Sequence, residues 1–175
     1  VNGLFNGPNN VLIQQAVKAL SIKPTGRKVL PWAGVALKLT ENGEPVKTQD
    51  SKFFSFLPLD ISNPFPVCVH GWFDLDSKRT EITFTGGGYV KDVLKTWNRL
   101  LIKHAVSKAW AMLVEFTKGK SFFKHYFALW PKKTNNEDFD QVITGFYQTI
   151  KNLESLYVES NKGSEWSKPT DNQWV

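Results

Sequence analysis

The chain has 175 residues, of which 41% are hydrophobic and 22% charged, and this balance predicts one domain of ordinary size that buries its own core. A net charge of +6 permits an anionic partner without requiring one. The single cysteine excludes an internal disulfide framework and favours a reducing compartment, so we expect a cytoplasmic protein. No apolar run approaches the roughly 20 residues of a membrane helix, and we expect no membrane partner. Because the chain begins at Val1 rather than Met, we expect it to belong to a longer protein.

The first part of the chain predicts a helix, a connector and a strand. Residues 1–28 contain a Gly- and Asn-rich start, a short helix from Val11 to about Leu20 and a polar connector. A strand is predicted from Ala33 to Thr40, and a hydrophilic loop follows it.

The stretch from Phe53 to Ile82 predicts two strands on either side of a proline-punctuated turn. In the second of these runs the side chains alternate, and a period of two sends the odd positions into a core and the even positions to the other face. The odd set is Val67, Val69, Gly71, Phe73 and Leu75, and the even set is Cys68, His70, Trp72, Asp74 and Asp76. The run ends in a charged turn that contains Lys78 and Arg79.

Two helical patterns come next. The longer one runs from Tyr89 to about Thr117, and its wide apolar stripe predicts burial on more than one side. An aromatic segment from Ser121 to Trp130 is stopped by a proline. A second helix is predicted to begin at Thr134 or Asn135, with an apolar stripe that extends to Tyr157.

Strands followed by helices predict an α+β fold, with a small, mostly antiparallel sheet and helices packed on one face. One long helix comes after the strands, and a further helix lies towards the C-terminus. We assign residues 1–160 to a single domain, in which 1–28 form the helix and connector, 29–88 the strands and 89–160 the helices. Residues 161–175 are a polar tail or the start of a following segment.

Several motifs occur in a fixed order along the chain. They are Leu30 to Ala36, Phe56-Leu57-Pro58-Leu59, Pro66 to Leu75, Ser77-Lys78-Arg79, Trp97-Asn98-Arg99-Leu100-Leu101 and Leu129-Trp130-Pro131. This series resembles the segment of sacsin-type proteins that follows their ATP-binding domain, where the pattern is approximately FLPL, a turn, PVHVNGFFAL, a Ser/Arg-rich loop and a WNxxLL helix. The resemblance covers about residues 29–131. It departs from the pattern at His70, where the family often has Asn, and at Asp74, which replaces a small or apolar residue.

The resemblance implies a middle-type domain beside a GHKL ATPase, in a chaperone related to the ninety-kilodalton heat-shock proteins. It also implies a small sheet packed with helices, in agreement with the pattern of strands and helices. The ATP-binding motifs of the preceding domain are missing from this chain, so by itself we expect it to be no enzyme and to hold no cofactor. ATP and Mg would belong to the parent protein. The implied partners are the N-terminal ATP-binding domain and client proteins.

Arg79 is the residue to which the resemblance gives a role. In the ninety-kilodalton heat-shock chaperones, the middle domain sends an arginine from a loop after a strand to the γ-phosphate held by the first domain. By that analogy Arg79 is the candidate in this chain, and Lys78 is the second candidate. A guanidinium is always charged and binds phosphoryl oxygens in pairs. The alternative is a solvated turn arginine, or one paired with Asp76 or Glu81.

Cys68 and His70 lie two positions apart on a predicted strand and therefore share a face. Such a pair can be a nucleophile with its base, or two ligands of a metal. Since no third ligand or orienting acid lies at motif spacing, we interpret both as structural residues and predict no metal site. Asp74 and Asp76 are interpreted as residues that terminate the strand, and His104 and His125 as packing or surface residues.

The long helix carries a basic row of Lys91, Lys95, Arg99 and Lys103 at successive i, i+4 positions. The row is a candidate face for an anionic partner, and it supports the alternative function, a basic nucleic-acid-binding module. The usual meaning of such a run is a solvated helix face. Gly86-Gly87-Gly88 before the helix suggests a phosphate cradle, but the Lys-Ser/Thr of a P-loop does not follow, so we favour a hinge or a helix entry.

Overall fold

The computed structural model describes residues 14, 30–42, 44–46, 51–84, 87–118, 123–153, 156–160 and 163–167. Within these residues, four strands come first, a series of helices follows, and two further strands come last. The strands are β1 (Ala33–Ala36), β2 (Phe53–Ser55), β3 (Leu57–Pro58), β4 (Cys68–Gly71), β5 (Leu156–Ser160) and β6 (Gly163–Ser167). The helices are α1 (Tyr89–Leu100), a π-helical segment (Leu101–Val106), α2 (Ser107–Phe116), a 3-10 helix (Phe123–Leu129) and α3 (Glu137–Ile150).

The first four strands form one sheet in the order β1-β4-β2-β3. β1 pairs with β4 in antiparallel register, with Gly34 opposite His70, and β2 pairs with β3 in the same sense. β2 and β4 lie parallel, with Phe54 opposite His70. The α+β class and the mostly antiparallel sheet are therefore confirmed, with one parallel pairing at the centre of the sheet.

The burial of residues 67–73 follows the predicted alternation between the two faces of the sheet. Val67, Val69, Gly71 and Phe73 are buried, whereas Cys68, His70 and Trp72 are only partly covered. The helices cover the inner face, because the π-helical segment and α2 contact β1, and the π-helical segment also contacts β4. Asp74 is the exception to the alternation, since it is 7% exposed despite its even position.

α1, the π-helical segment and α2 form one continuous helix from Tyr89 to Phe116, which confirms the long predicted helix. Trp97, Leu101 and Ile102 are buried in a single core that also contains Phe53 and Val69. Removal of these large apolar side chains from water is the main favourable contribution to folding.

α3 packs against α2 and the π-helical segment at a point where only glycine fits. A Cβ atom on Gly145 would lie 1.9 Å from the backbone oxygen of Lys103 and 2.8 Å from Cβ of Ser107. The Ser107 hydroxyl also donates to the Lys103 oxygen. The bulged turn of the long helix thus presents a carbonyl against the backbone of α3, and Gly145 lets the two backbones approach closely.

The C-terminal part of the prediction requires two corrections. The residue that caps α3 is Asn136, not Thr134 or Asn135: its side chain accepts hydrogen bonds from the N–H groups of Asp138 and Phe139. The helix ends at Ile150, and Tyr157 lies in β5, so the prediction of helix throughout 89–160 is wrong in its last part.

β5 and β6 form an antiparallel hairpin in which Tyr157 pairs with Trp166. The apolar spacing of α3 continues into β5 and for that reason predicts helix there. The hairpin spans the predicted boundary between residues 1–160 and 161–175, and this division stays a prediction.

The predicted N-terminal helix from Val11 to Leu20 lies outside the described residues except for Gln14, which is helical. The predicted strand from Ala33 to Thr40 ends at Ala36, and an isolated bridge joins Leu39 to Pro45 beyond it. Among the described residues, no helix is both long enough and apolar enough to cross a membrane.

Candidate functional site

Arg79 lies in a tight loop that a single carboxylate organises. An isolated antiparallel bridge joins Leu75 to Ile82 on either side of the loop. The Asp76 carboxylate accepts from the backbone N–H of Thr80 at 2.6 Å, of Glu81 at 2.9 Å and of Lys78 at 3.3 Å. It also accepts from the Thr80 hydroxyl at 3.0 Å. Because a carboxylate has room for several donors, this one side chain fixes the loop backbone around it.

These hydrogen bonds favour the charged form of Asp76. The N–H of Glu81 has the largest effect on the Asp76 pKa and lowers it, with further lowering by the Thr80 hydroxyl and the N–H groups of Thr80 and Lys78. Desolvation acts in the opposite direction, and the pKa remains below its ordinary value. Asp76 is therefore an ionised loop organiser at neutral pH, rather than a general acid.

The Arg79 backbone has φ of 60°, a left-handed conformation that is uncommon outside glycine. Its N–H donates to the backbone oxygen of Asp76, which closes the turn. The guanidinium Nη2 donates to the backbone oxygen of Ser55 at 3.0 Å, while the residue as a whole is exposed. A guanidinium has five N–H donors, so one bond to Ser55 holds the side chain and leaves donors that face solvent.

This geometry bears on the alternatives for Arg79. The Asp76 carboxylate is directed at the loop backbone, and the guanidinium at the end of β2. An ion pair between Arg79 and either Asp76 or Glu81 is not among the contacts of the described residues. Lys78 is exposed beside it in the same loop. Contact of either side chain with a nucleotide stays a prediction.

Asn98 ties both arms of the Arg79 loop to the long helix. Its side chain is 0% exposed. The amide oxygen accepts from the Asp74 N–H at 2.8 Å, and the amide nitrogen donates to the backbone oxygens of Asp74 and Thr83, each at 2.9 Å. A single amide thus satisfies three backbone groups on the two segments that enter and leave the loop.

The neighbouring Trp97 makes a parallel attachment. Its indole N–H donates to the backbone oxygen of Trp72 at 2.7 Å, and its ring is buried in the core. The Trp97-Asn98 pair therefore fixes β4 and the loop on α1. The sequence identifies this pair only as part of a motif. The sequence does contain a sign of this role. Asn98 is an amide residue that directly follows a large apolar residue, in a helix whose buried side chains are mostly apolar.

His70 and Cys68 lie on the outer face of the sheet, as predicted. The Nε2 atom of His70 accepts a hydrogen bond from the backbone N–H of Phe56 at 3.1 Å. This nitrogen is thus used as an acceptor by the backbone of Phe56, and it is not directed at the Cys68 thiol. Among the described residues, no group of three or more His, Cys, Asp or Glu side chains is placed to hold a metal.

Aromatic rings surround His70. The ring centroids of Trp32, Phe56 and Phe54 lie 5.0, 5.9 and 6.5 Å from that of His70, all close to edge-on. Phe56 also contacts Trp72 at 5.0 Å. The Trp32 ring lies over Gly34. A Cβ atom added to Gly34 would be 3.4 Å from that ring. Phe56 and Leu57 remain 66% and 65% exposed, so this outer face is apolar and largely open.

The basic row of the long helix is partly neutralised. Lys95 pairs with Asp92 at 2.8 Å, and Arg99 pairs with Asp138 of α3 at 2.6 Å. Lys91 is exposed and Lys103 is half-buried. Two of the four cations are thus paired within the chain, which reduces the charge that the row offers to a polyanion.

The glycine run before α1 forms a helix entry. Gly88 is the N-cap residue with φ of 96°, and its oxygen accepts from the Asp92 N–H, while Gly86 lies outside the described residues. Asp92 in the first turn disfavours a phosphate at this end of the helix. Burial lowers the pKa of His104, and nearby Lys103 lowers it further, which is typical of a packed histidine. The side chain of His125 lies outside the described residues.

Comparison with known proteins gives one informative match. The chain is 30% identical over 160 residues to human sacsin, and the match covers 83% of this chain and 3% of sacsin. No protein-family model matches the chain, and no solved structure matches it. The chain thus corresponds to a small part of the length of its curated relative. The match agrees with the resemblance found in the motifs, and it supports a place for this chain in a sacsin-related family.

Proposed function

We propose that this chain is a non-catalytic domain of a larger sacsin-like chaperone ATPase, related to the ninety-kilodalton heat-shock proteins. In this proposal it contacts the N-terminal ATP-binding domain of the parent protein and takes part in binding client proteins. ATP and Mg belong to that N-terminal domain. Arg79 of this chain reaches the γ-phosphate there, with Lys78 beside it.

The observation that carries the proposal is the construction of the Arg79 loop. Four contacts to one ionised carboxylate fix its backbone, and Asn98 attaches its two arms to the long helix. The guanidinium is held at one point by Ser55 and is otherwise exposed. A cation on a rigid loop loses little conformational entropy when it meets an anion, which is what a contact that acts in a transition state needs.

The chemistry assigned to Arg79 is electrostatic. In phosphoryl transfer, charge redistributes over the phosphoryl oxygens, and an arginine supplied by a second domain stabilises that charge. Two parallel N–H···O bonds from one guanidinium also fix orientation, which a lysine does not provide. Docking of the two domains would therefore be coupled to turnover.

The test joins this domain to the ATP-binding domain in the full parent protein and measures steady-state ATP turnover. Arg79→Ala should lower kcat by roughly tenfold to a thousandfold, the range observed for loss of a transition-state charge contact. The affinity for ATP should change little, because the contact matters most in the transition state. Arg79→Lys should recover only part of the rate.

Lys132→Ala is the matched control, since Lys132 is an exposed cation outside the loop and its loss should leave kcat unchanged. The melting temperature of each variant shows whether the fold is intact. Unchanged turnover in Arg79→Ala, with both domains still associated in sedimentation or scattering measurements, would show that Arg79 is a surface residue.

A further inference from the structure

One peptide group connects His70 to Arg79. The peptide between Ser55 and Phe56 offers its oxygen to the Arg79 guanidinium at 3.0 Å. The N–H of the same peptide donates to Nε2 of His70 at 3.1 Å. The two side chains thus bind the two ends of one peptide plane. Its orientation is set by both of them together.

The orientation that they hold is a costly one. Phe56 has φ of 65°, in the left-handed region that a bulky side chain seldom occupies. Reversal of the peptide plane changes the φ of Phe56 by about 180°, to roughly −115°, which lies within the broad β region. The hydrogen bonds to His70 and Arg79 therefore keep the peptide in the less favourable of two backbone arrangements.

We propose that His70 is a pH-dependent positioning residue for Arg79, acting through the Ser55–Phe56 peptide. With its Nε2 unprotonated, His70 accepts the Phe56 N–H, and the Ser55 oxygen is directed at the guanidinium. When Nε2 gains a proton it becomes a donor, and two N–H groups then face each other. The peptide turns over, Phe56 moves to a negative φ, and Arg79 loses its anchor at Ser55.

The charged groups near His70 are Lys52, Lys38 and Arg79. Lys52 immediately precedes β2, and the register of β2 with β4 places it level with Cys68, on the face that carries His70. Lys38 lies two positions beyond the end of β1, and Arg79 binds the other end of the peptide. On the β1 side, Gly34 stands opposite His70, and the ring of Trp32, which precedes β1, contacts it.

This inference deepens the proposed function, because it assigns a regulation to Arg79, but its first test needs no turnover. In the 175-residue chain, the ring nitrogens of His70, the amide of Phe56 and the side-chain N–H of Arg79 are followed by NMR from about pH 5 to pH 8, where histidines titrate. All three should shift with one common midpoint. Exchange of the Phe56 amide, corrected for its intrinsic pH dependence, should rise roughly fivefold on the acid side, as expected for one lost hydrogen bond.

Three variants sharpen the test. His70→Gln keeps an acceptor near the position of Nε2 and does not titrate, so the Phe56 and Arg79 signals should become independent of pH. His70→Ala should show the exposed Phe56 amide at every pH. His104→Gln is the matched control, and it should retain the wild-type titration of Phe56.

A Phe56 amide that does not respond while His70 titrates would overturn the inference, and so would an inflection that survives in His70→Gln. Turnover of the parent protein separates this inference from the proposed function. If Arg79→Ala leaves turnover unchanged but the NMR coupling is present, the nucleotide role fails and the coupling stands. If Arg79→Ala lowers turnover and the coupling is absent, the reverse holds.

Discussion

Asn98→Ala should destabilise the domain far more than its small change in volume suggests. The side chain is 0% exposed, and its loss leaves the Asp74 N–H, the Asp74 oxygen and the Thr83 oxygen without their partner. A buried group that loses its partner costs about 1–3 kcal/mol. Thr83 is only half-buried, so water partly compensates there. We therefore expect a loss of about 3–5 kcal/mol in the free energy of unfolding, a large part of the total for one domain.

The assay is urea unfolding followed by far-UV circular dichroism and tryptophan fluorescence, with coincidence of the two transitions as the check on two-state behaviour. Asn152→Ala is the matched control: Asn152 is exposed and its side chain makes one hydrogen bond, to the Gln148 oxygen, so the loss in free energy of unfolding should stay within about 0.5 kcal/mol. Amide exchange should also increase at Asp74 in Asn98→Ala. A loss below about 1 kcal/mol, at an unchanged denaturant slope, would refute the view that this amide holds the loop on the helix.

Three further predictions follow from single contacts. Leu101→Ala should cost about 2–5 kcal/mol in urea unfolding, because the side chain is buried in the main core, and a loss within experimental error would mean that the helix packs differently. Gly145→Ala should cost about 2 kcal/mol or more although alanine favours helices, since its Cβ meets a backbone carbonyl, whereas Gly87→Ala, with open space around it, should be nearly neutral. Folding lowers the pKa of Asp76, so its carboxylate should contribute fully to the free energy of unfolding above about pH 4 and lose that contribution as the pH falls further. The NMR shifts of the loop amides should therefore show an acid transition that Asp76→Asn lacks.

Local periodicity accounts for the parts of the fold that the sequence predicts well. A period of two in residues 67–73 separates Val69 and Phe73 from His70 without knowledge of any partner strand. The long helix is equally predictable, since its apolar stripe persists over many turns. The burial of Trp97 and Leu101 in one core with Val69 follows from these two patterns alone.

Pairings between distant segments were not predictable in the same way. The parallel alignment of β2 with β4 depends on the path of the connection between them, which turns back through β3. The end of α3 was missed because apolar residues continue at helical spacing into β5, where pairing with β6 decides the conformation. Asp74 is buried because Asn98 satisfies its backbone, and no pattern within residues 67–76 contains that information.

Residues from four of the sequence motifs meet around the Arg79 loop. The turn at Phe56 supplies the peptide that anchors Arg79, and the strand through Trp72 supplies the oxygen that Trp97 binds. Asn98 then holds both arms of the loop that carries Arg79. These four motifs are up to about forty positions apart in the chain, yet they meet at one loop and one guanidinium. In this structure these motifs therefore share one role, which is to hold the loop that carries the exposed Arg79.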